Sequence, residues 1–153
     1  MASGWTNRGI YNLLDAIFRG ATIPTNFYIA LVTSAATPSS DTNTFSELTE
    51  IAAGNGYTTG GYQLSRNSTD FDVLTEDDIN NLAYTQIKDV VWTASGGAIP
   101  GSGSGARYAV LLDDNATIAS REVWAFWDLT SDRTVSDGQT LTLQDCELKG
   151  LYQ

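Results

Sequence analysis

The sequence predicts a mainly β protein, an antiparallel β-sandwich or jelly-roll carrying one amphipathic α-helix at its N-terminal end. Three observations carry that prediction. Segments rich in Val, Ile, Thr and aromatic residues recur at hairpin spacing between clusters of Gly, Ser, Asp and Asn. Charged residues make up only 17% of the chain, against about 25% in an ordinary globular domain, and Ser, Thr, Asn and Gly take their place. One stretch alone shows clear helical periodicity. A chain of 153 residues suits a single domain with a real core, divided into a helix over 7–19 and a sandwich over 27–153.

The helix comes first. In NRGIYNLLDAIFR, the residues Ile10, Leu13, Leu14, Ile17 and Phe18 fall at i, i+3, i+4, i+7 and i+8, one face of a helix. Thr6 or Asn7 can cap its start and Gly20 can stop it. Arg19 stands in the last turn, where a cation suits the helix dipole. The ordinary use of such a face is packing on the domain's own sheet. The alternative is a docking arm for a neighbouring subunit.

FYIALVT (27–33) is apolar on both faces and reads as a central strand. SAATPSSDTNT (34–44) is a loop by composition. Thr44 and Glu47 have capping-box spacing, so Phe45, Leu48 and Ile51 could form a short helical face, or else the segment is extended. GNGYTTGGYQLSR (54–66) predicts a turn and then a strand ending near Arg66. In FDVLTEDDINNLAY (71–84), TEDD is a candidate helix start. TQIKDVVWTA (85–94) reads as one strand, SGGAIPGSGSG (95–105) as a mobile loop, and ARYAVLLDD (106–114) as a strand ending in a turn. QTLTLQ (139–144) alternates cleanly, and ELKGLY (147–152) closes the chain. This amounts to about seven strands with no internal repeat, heptad or linker.

REVWAFWDL (121–129) poses a choice between a ligand platform and a core strand. In a regular strand, Trp124 and Phe126 share one face while Val123, Ala125 and Trp127 share the other. Both faces are then apolar, with charges only at the ends. That pattern favours a strand buried on both sides.

Composition excludes several function classes. The net charge is −10, with Lys88 and Lys149 the only lysines, so neither a phosphate backbone nor an anionic membrane is an expected partner. No stretch approaches the roughly 20 apolar residues of a membrane span, and the N-terminus has no signal-peptide pattern, so the chain is expected to be soluble and made in a cytoplasm. There is no histidine, which removes the usual general base, the usual zinc ligand and the His-dependent triads. Cys146, the single cysteine, reads as a small buried hydrophobe. GSGSG lacks the following helix that a phosphate loop needs. Carboxylates remain: Asp70 with Asp72, Glu76 to Asp78, and Asp113 with Asp114. A glycosidase needs two across a cleft; solvated loops and turn-forming aspartates are their ordinary use. No calcium-loop spacing is present. The expectation is a non-enzymatic protein without cofactor or metal.

The order of segments carries a resemblance. NLLDAIFRG leads into NFYIALVTSAATPS. GNGYTTGGYQLSR, NNLAYTQIKDVVWTA, ARYAVLLDD, REVWAFWDLTSDRTVSDGQTLTL and ELKGLY follow. The chain resembles, end to end, a family of small virion proteins of tailed bacteriophages, often labelled tail-fibre-like. Members start with an NxLLDxIFG-type helix and continue with a strand reading like LYVALST. They carry a GGGYAR-like segment and end in an LTTPKTVxxGDTLTF-like hairpin. LTSDRTVSDGQTLTL (129–143) is the nearest match. The chain departs from the pattern in the GNGYTT extension and in a longer loop 95–105.

The resemblance implies a non-catalytic place in the particle, and the leading expectation is a capsid decoration (cement) protein. Its partners would be the major capsid protein or tail proteins and copies of itself, with no nucleic acid and no membrane. Contacts would come from Ile10, Leu13, Leu14, Ile17 and Phe18 and from loops 34–44 and 95–105. The alternative is a tail, baseplate or fibre-associated protein that presents Tyr57, Tyr62 or Tyr108 to a host glycan.

Overall fold

A computed structural model describes residues 3–151; Tyr152, the last residue of the ELKGLY segment, lies outside them. The protein is mainly β, with antiparallel sheets in a sandwich-like arrangement and one N-terminal helix. The strands are β1 (Gly4–Trp5), β2 (Asn26–Val32), β3 (Tyr62–Ser65), β4 (Val73–Asp77), β5 (Leu82–Ile87), β6 (Val90–Thr93), β7 (Ala106–Leu112), β8 (Val123–Arg133), β9 (Thr140–Leu143) and β10 (Cys146–Leu151). The helix, α1, spans Asn7–Arg19. The main sheet has the order β1-β8-β7-β2-β3, and the opposing layer is formed by β10-β5-β4 and by the pair β6-β9.

The two-sided apolarity of FYIALVT has a direct structural cause. Phe27, Ile29 and Leu31 enter the core between the layers, where they meet Ile87, Trp92, Leu141 and Leu148. Ala30 and Val32 point the other way, into a second cluster with Phe45, Val110, Val123 and Phe126. A single turn of 3₁₀ helix at Phe45–Glu47 covers that outer face. Its start is fixed as the sequence spacing suggests, since the Glu47 carboxylate accepts the Thr44 N–H at 2.8 Å and the Asn43 N–H at 3.0 Å.

REVWAFWDL is a core strand, with Val123 to Trp127 all buried. The predicted division of its faces is wrong. Leu111 pairs with Ala125 and Leu112 with Val123, so Trp124 is an extra residue in a β-bulge. The bulge turns Trp124 to the side of Ala125 and Trp127, in the central core, and leaves Phe126 with Val123 on the other side.

Two further readings are corrected. The stretch 71–84 starts no helix; it forms most of the β4–β5 hairpin, paired Val73↔Gln86 through Asp77↔Leu82. The acidic run TEDD feeds the turn, where the Asp77 carboxylate accepts the N–H groups of Ile79 and Asn80 at 3.1 and 3.0 Å. Nor is 85–94 one strand. It breaks at Lys88–Asp89, with the Lys88 N–H donating to the Asp70 carbonyl at 3.0 Å, and resumes as β6 in a different sheet. The loop 95–105 is pinned rather than free at its centre. Ile99 is fully buried, exchanges both backbone hydrogen bonds with Val135, and is flanked by an Asn55 side chain bonded to the Ala98 carbonyl.

Candidate functional site

Helix α1 is seated through its N-terminal turn. Thr6 is completely buried. Its N–H donates to the Trp124 carbonyl at 3.0 Å, its hydroxyl donates to the Val123 carbonyl, and the same oxygen accepts the Gly9 N–H at 2.9 Å as the N-cap. Gly9 lies so close to β8 that a Cβ there would sit 2.2 Å from the Trp124 carbonyl oxygen. Asn12 donates to Glu122, and Arg8 pairs with the same carboxylate at 3.6 Å. At the other end Gly20 adopts φ 79°, the left-handed conformation of a helix stop.

This seating faces away from the apolar stripe. Gly9 is the only buried residue of α1. Ile10, Leu13, Leu14, Ile17 and Phe18 are 43%, 39%, 50%, 61% and 78% exposed, and Tyr11 beside them is 52% exposed. The ordinary expectation, that the apolar face packs on the protein's own sheet, therefore fails. A helix needs one face to hold it, and here that side is small or polar: Thr6 bonds to β8, Gly9 packs against the Trp124 backbone, and Asn12 bonds to Glu122 just before β8.

Leu13 and Ile17 form one wall of an apolar cleft of ≈ 290 Å³. Its other walls include Phe27, Phe71, Trp124 and Leu148, and only Arg66 and Thr85 interrupt the apolar lining. The indole N–H of Trp124 is buried with no acceptor among the described residues, where such a group ordinarily finds one. Sequence reasoning missed this cleft. Its walls come from segments far apart in the chain, and Trp124 reaches it only because of the bulge.

The three tyrosines proposed as a glycan surface are not brought together. Tyr57 is buried, and its hydroxyl accepts the Leu31 N–H at 2.9 Å and donates to Glu50 at 2.8 Å. Burial and the neighbouring Glu50 charge push its ionisation well above the usual 10.0. Tyr108 is buried too, with its hydroxyl near Thr37. Tyr62 alone is open, at 37% exposure, with the Lys88 ammonium 5.2 Å from its ring centre. Neither Tyr57 nor Tyr108 can offer its ring face to a ligand.

Asp70, Asp77, Asp113 and Asp114 are committed to local structure, whereas Asp72, Glu76 and Asp78 make no side-chain hydrogen bond or ion pair among the described residues. Asp70 pairs with Lys88 at 2.6 Å and accepts the Ser65 N–H at 2.7 Å. The Lys88 hydrogen bond holds its carboxyl below the usual 3.8 despite an opposing burial effect. Asp114 accepts the N–H groups of Thr25 and Asn26. Asp113, raised by burial, meets Glu122 in a recess of ≈ 120 Å³, below the roughly 300 Å³ at which ligand pockets begin. Among the described residues, no group of three or more His, Cys, Asp or Glu is placed to hold a metal ion. Cys146 is buried, and burial with the nearby Asp145 and Asp89 pushes its thiol up to about 12. No described helix is long and apolar enough to cross a membrane.

Comparison with family models, curated proteins and solved structures returned no match. The exposed stripe of α1 and the cleft beside it are thus the features on which a functional reading rests.

Proposed function

We propose that this chain is a non-enzymatic structural protein of a tailed-bacteriophage virion, acting as a capsid decoration protein that stabilises the head by protein–protein contacts. The observation that carries this reading is the outward apolar stripe of α1. A compact domain rarely exposes a contiguous apolar patch unless a partner covers it. Fully burying one Leu, Ile or Phe is worth about 1.5–3 kcal/mol. These five side chains are roughly half exposed, so each can still contribute on the order of 1 kcal/mol when covered. Repetition over many copies on one particle would turn such modest contacts into firm attachment.

Further support comes from what the side chains are committed to. Asp70, Asp77, Asp113 and Asp114 hold turns and an ion pair, and Tyr57 and Tyr108 hold the core. A single domain with a helix of 13 residues also suits a surface attachment better than an extended fibre.

The test adds purified protein to capsids that lack it. Occupancy at regular lattice positions and a higher capsid disruption temperature are the expected results. Binding confined to tail ends would sink the decoration reading and favour a tail, baseplate or fibre role.

A further inference from the structure

We propose that the tip of the β4–β5 hairpin of one copy docks into the cleft beside α1 of the next, so that copies associate head to tail. The tip is built to project. The Asp77 carboxylate ties down the N–H groups of Ile79 and Asn80 and the Asn80 side chain, and Asn81 closes the turn at φ 52°. The ordered turn holds Ile79 out at 92% exposure, and Leu74 on the same arm is 83% exposed. Single exposed aliphatics are ordinary. This one stands beside Glu76, Asp77 and Asp78, an apolar knob in an acidic collar.

The cleft is the complement of that knob. Its walls are apolar, and its volume of ≈ 290 Å³ is about twice the ~150 Å³ that takes up a benzene ring. Arg66 stands at its edge, exposed, with no hydrogen-bond or ion-pair partner among the described residues. Free cations are scarce here, because the whole chain has only 8 basic residues against 18 acidic ones. Five of the 8 already sit in ion pairs.

A β4–β5 tip that enters this cleft belongs to another copy. Thr85 of β5 lines the cleft, and three residues of strand carry the turn about 10 Å beyond it. β5 is clamped between β4 and β10, so the hairpin cannot fold back on its own cleft. Knob and cleft are different patches, which makes the contact heterologous, and such contacts build rings when the rotation closes. The outer residues Leu14 and Phe18 do not line the cleft and stay free for another partner.

The contact can be read on the isolated protein in solution, independently of any virion. Sedimentation of the wild-type chain is expected to give a discrete multimer. Ile79→Asp, at an exposed position that leaves the melting temperature unchanged, should weaken association about ten- to hundredfold and yield monomer. Arg66→Asp should also yield monomer, and adding Asp78→Arg to it should restore association. A mixture of Ile79→Asp and Arg66→Asp chains retains one good knob and one good cleft, and should form a dimer that goes no further. A monomeric wild type, an Ile79→Asp chain of wild-type mass, or a mixture that stays monomeric would each overturn the proposal.

Discussion

Replacing Gly9 by Ala tests how α1 is held. In an exposed helix interior this change should stabilise, because glycine is about 1 kcal/mol poorer than alanine there. At Gly9 the new Cβ would lie 2.2 Å from the Trp124 carbonyl oxygen and 2.7 Å from its Cα, where ordinary contact begins at 3.4 Å. The obstacle is backbone, so no side-chain rotation relieves it. The helix must lift from β8 by roughly 1 Å, which stretches the Thr6 bonds to Val123 and Trp124. Overpacking of this kind costs about 1–3 kcal/mol, and a weakened N-cap adds about 1 kcal/mol. Set against the propensity gain, the expected net loss is about 1–3 kcal/mol. For a domain of this size that is a drop of some ~2–12 °C in melting temperature. Urea unfolding followed by far-ultraviolet circular dichroism measures it. A Gly9→Ala chain more stable than wild type by about 1 kcal/mol would refute the seating of α1 on β8.

Three further outcomes follow from the same geometry. Tyr57→Phe strands the buried Leu31 N–H and should cost about 1–3 kcal/mol in denaturant unfolding; an unchanged midpoint would contradict the assigned role. Asp70 has its carboxyl held below 3.8 by Lys88, and Lys88 is raised above 10.5 by Asp70. The stability that wild type holds over Asp70→Asn should therefore be flat from about pH 5 to pH 8. It should shrink as pH falls below the usual aspartate value, and again as pH rises past the usual lysine value; a difference independent of pH would count against the pair. Cys146, buried and with its thiol pushed up to about 12, should resist iodoacetamide at pH 8 in the folded protein and react fully in denaturant, whereas rapid native labelling would contradict its burial.

What the sequence made legible was local. The limits of α1 follow from periodicity within the helix and from Thr6 and Gly20 at its ends, all within one stretch of chain. The strands at 27–33 and 106–114 were equally plain, and the first was legible as a central strand because FYIALVT is apolar on both faces. The capping-box spacing of Thr44 and Glu47 marked the start of the short 3₁₀ turn, but the helical face of Phe45, Leu48 and Ile51 does not form, because the chain is extended again from Leu48 and Ile51 enters a different cluster from Phe45. The failures share a different cause. The β4–β5 hairpin was obscured because Asp77 and Asp78 mimic an acidic helix start, although the alternation in VLTED and the turn residues NN were there to be read. The break at Lys88 depends on the Asp70 carbonyl, and the bulge at Trp124 depends on β7, so neither leaves a mark in its own segment. Tyr57 was misplaced because its burial is fixed by Leu31 and Glu50 rather than by its glycine-rich neighbours. The apolar stripe of α1 was visible from the start. Periodicity shows that such a stripe exists, but only the fold shows that the helix is anchored by its other side.

That open stripe is the central claim, and substituting Leu14 and Phe18 together by Asp tests it most directly. Both side chains are at least half exposed, so the doubly substituted protein should lose only about 1–2 kcal/mol, from the remaining burial and from Asp in the last turns of the helix. It should no longer co-sediment with capsids that bind the wild-type chain. A large loss of stability would mean that the stripe belongs to the protein's own core, and undiminished capsid binding would mean that attachment lies elsewhere.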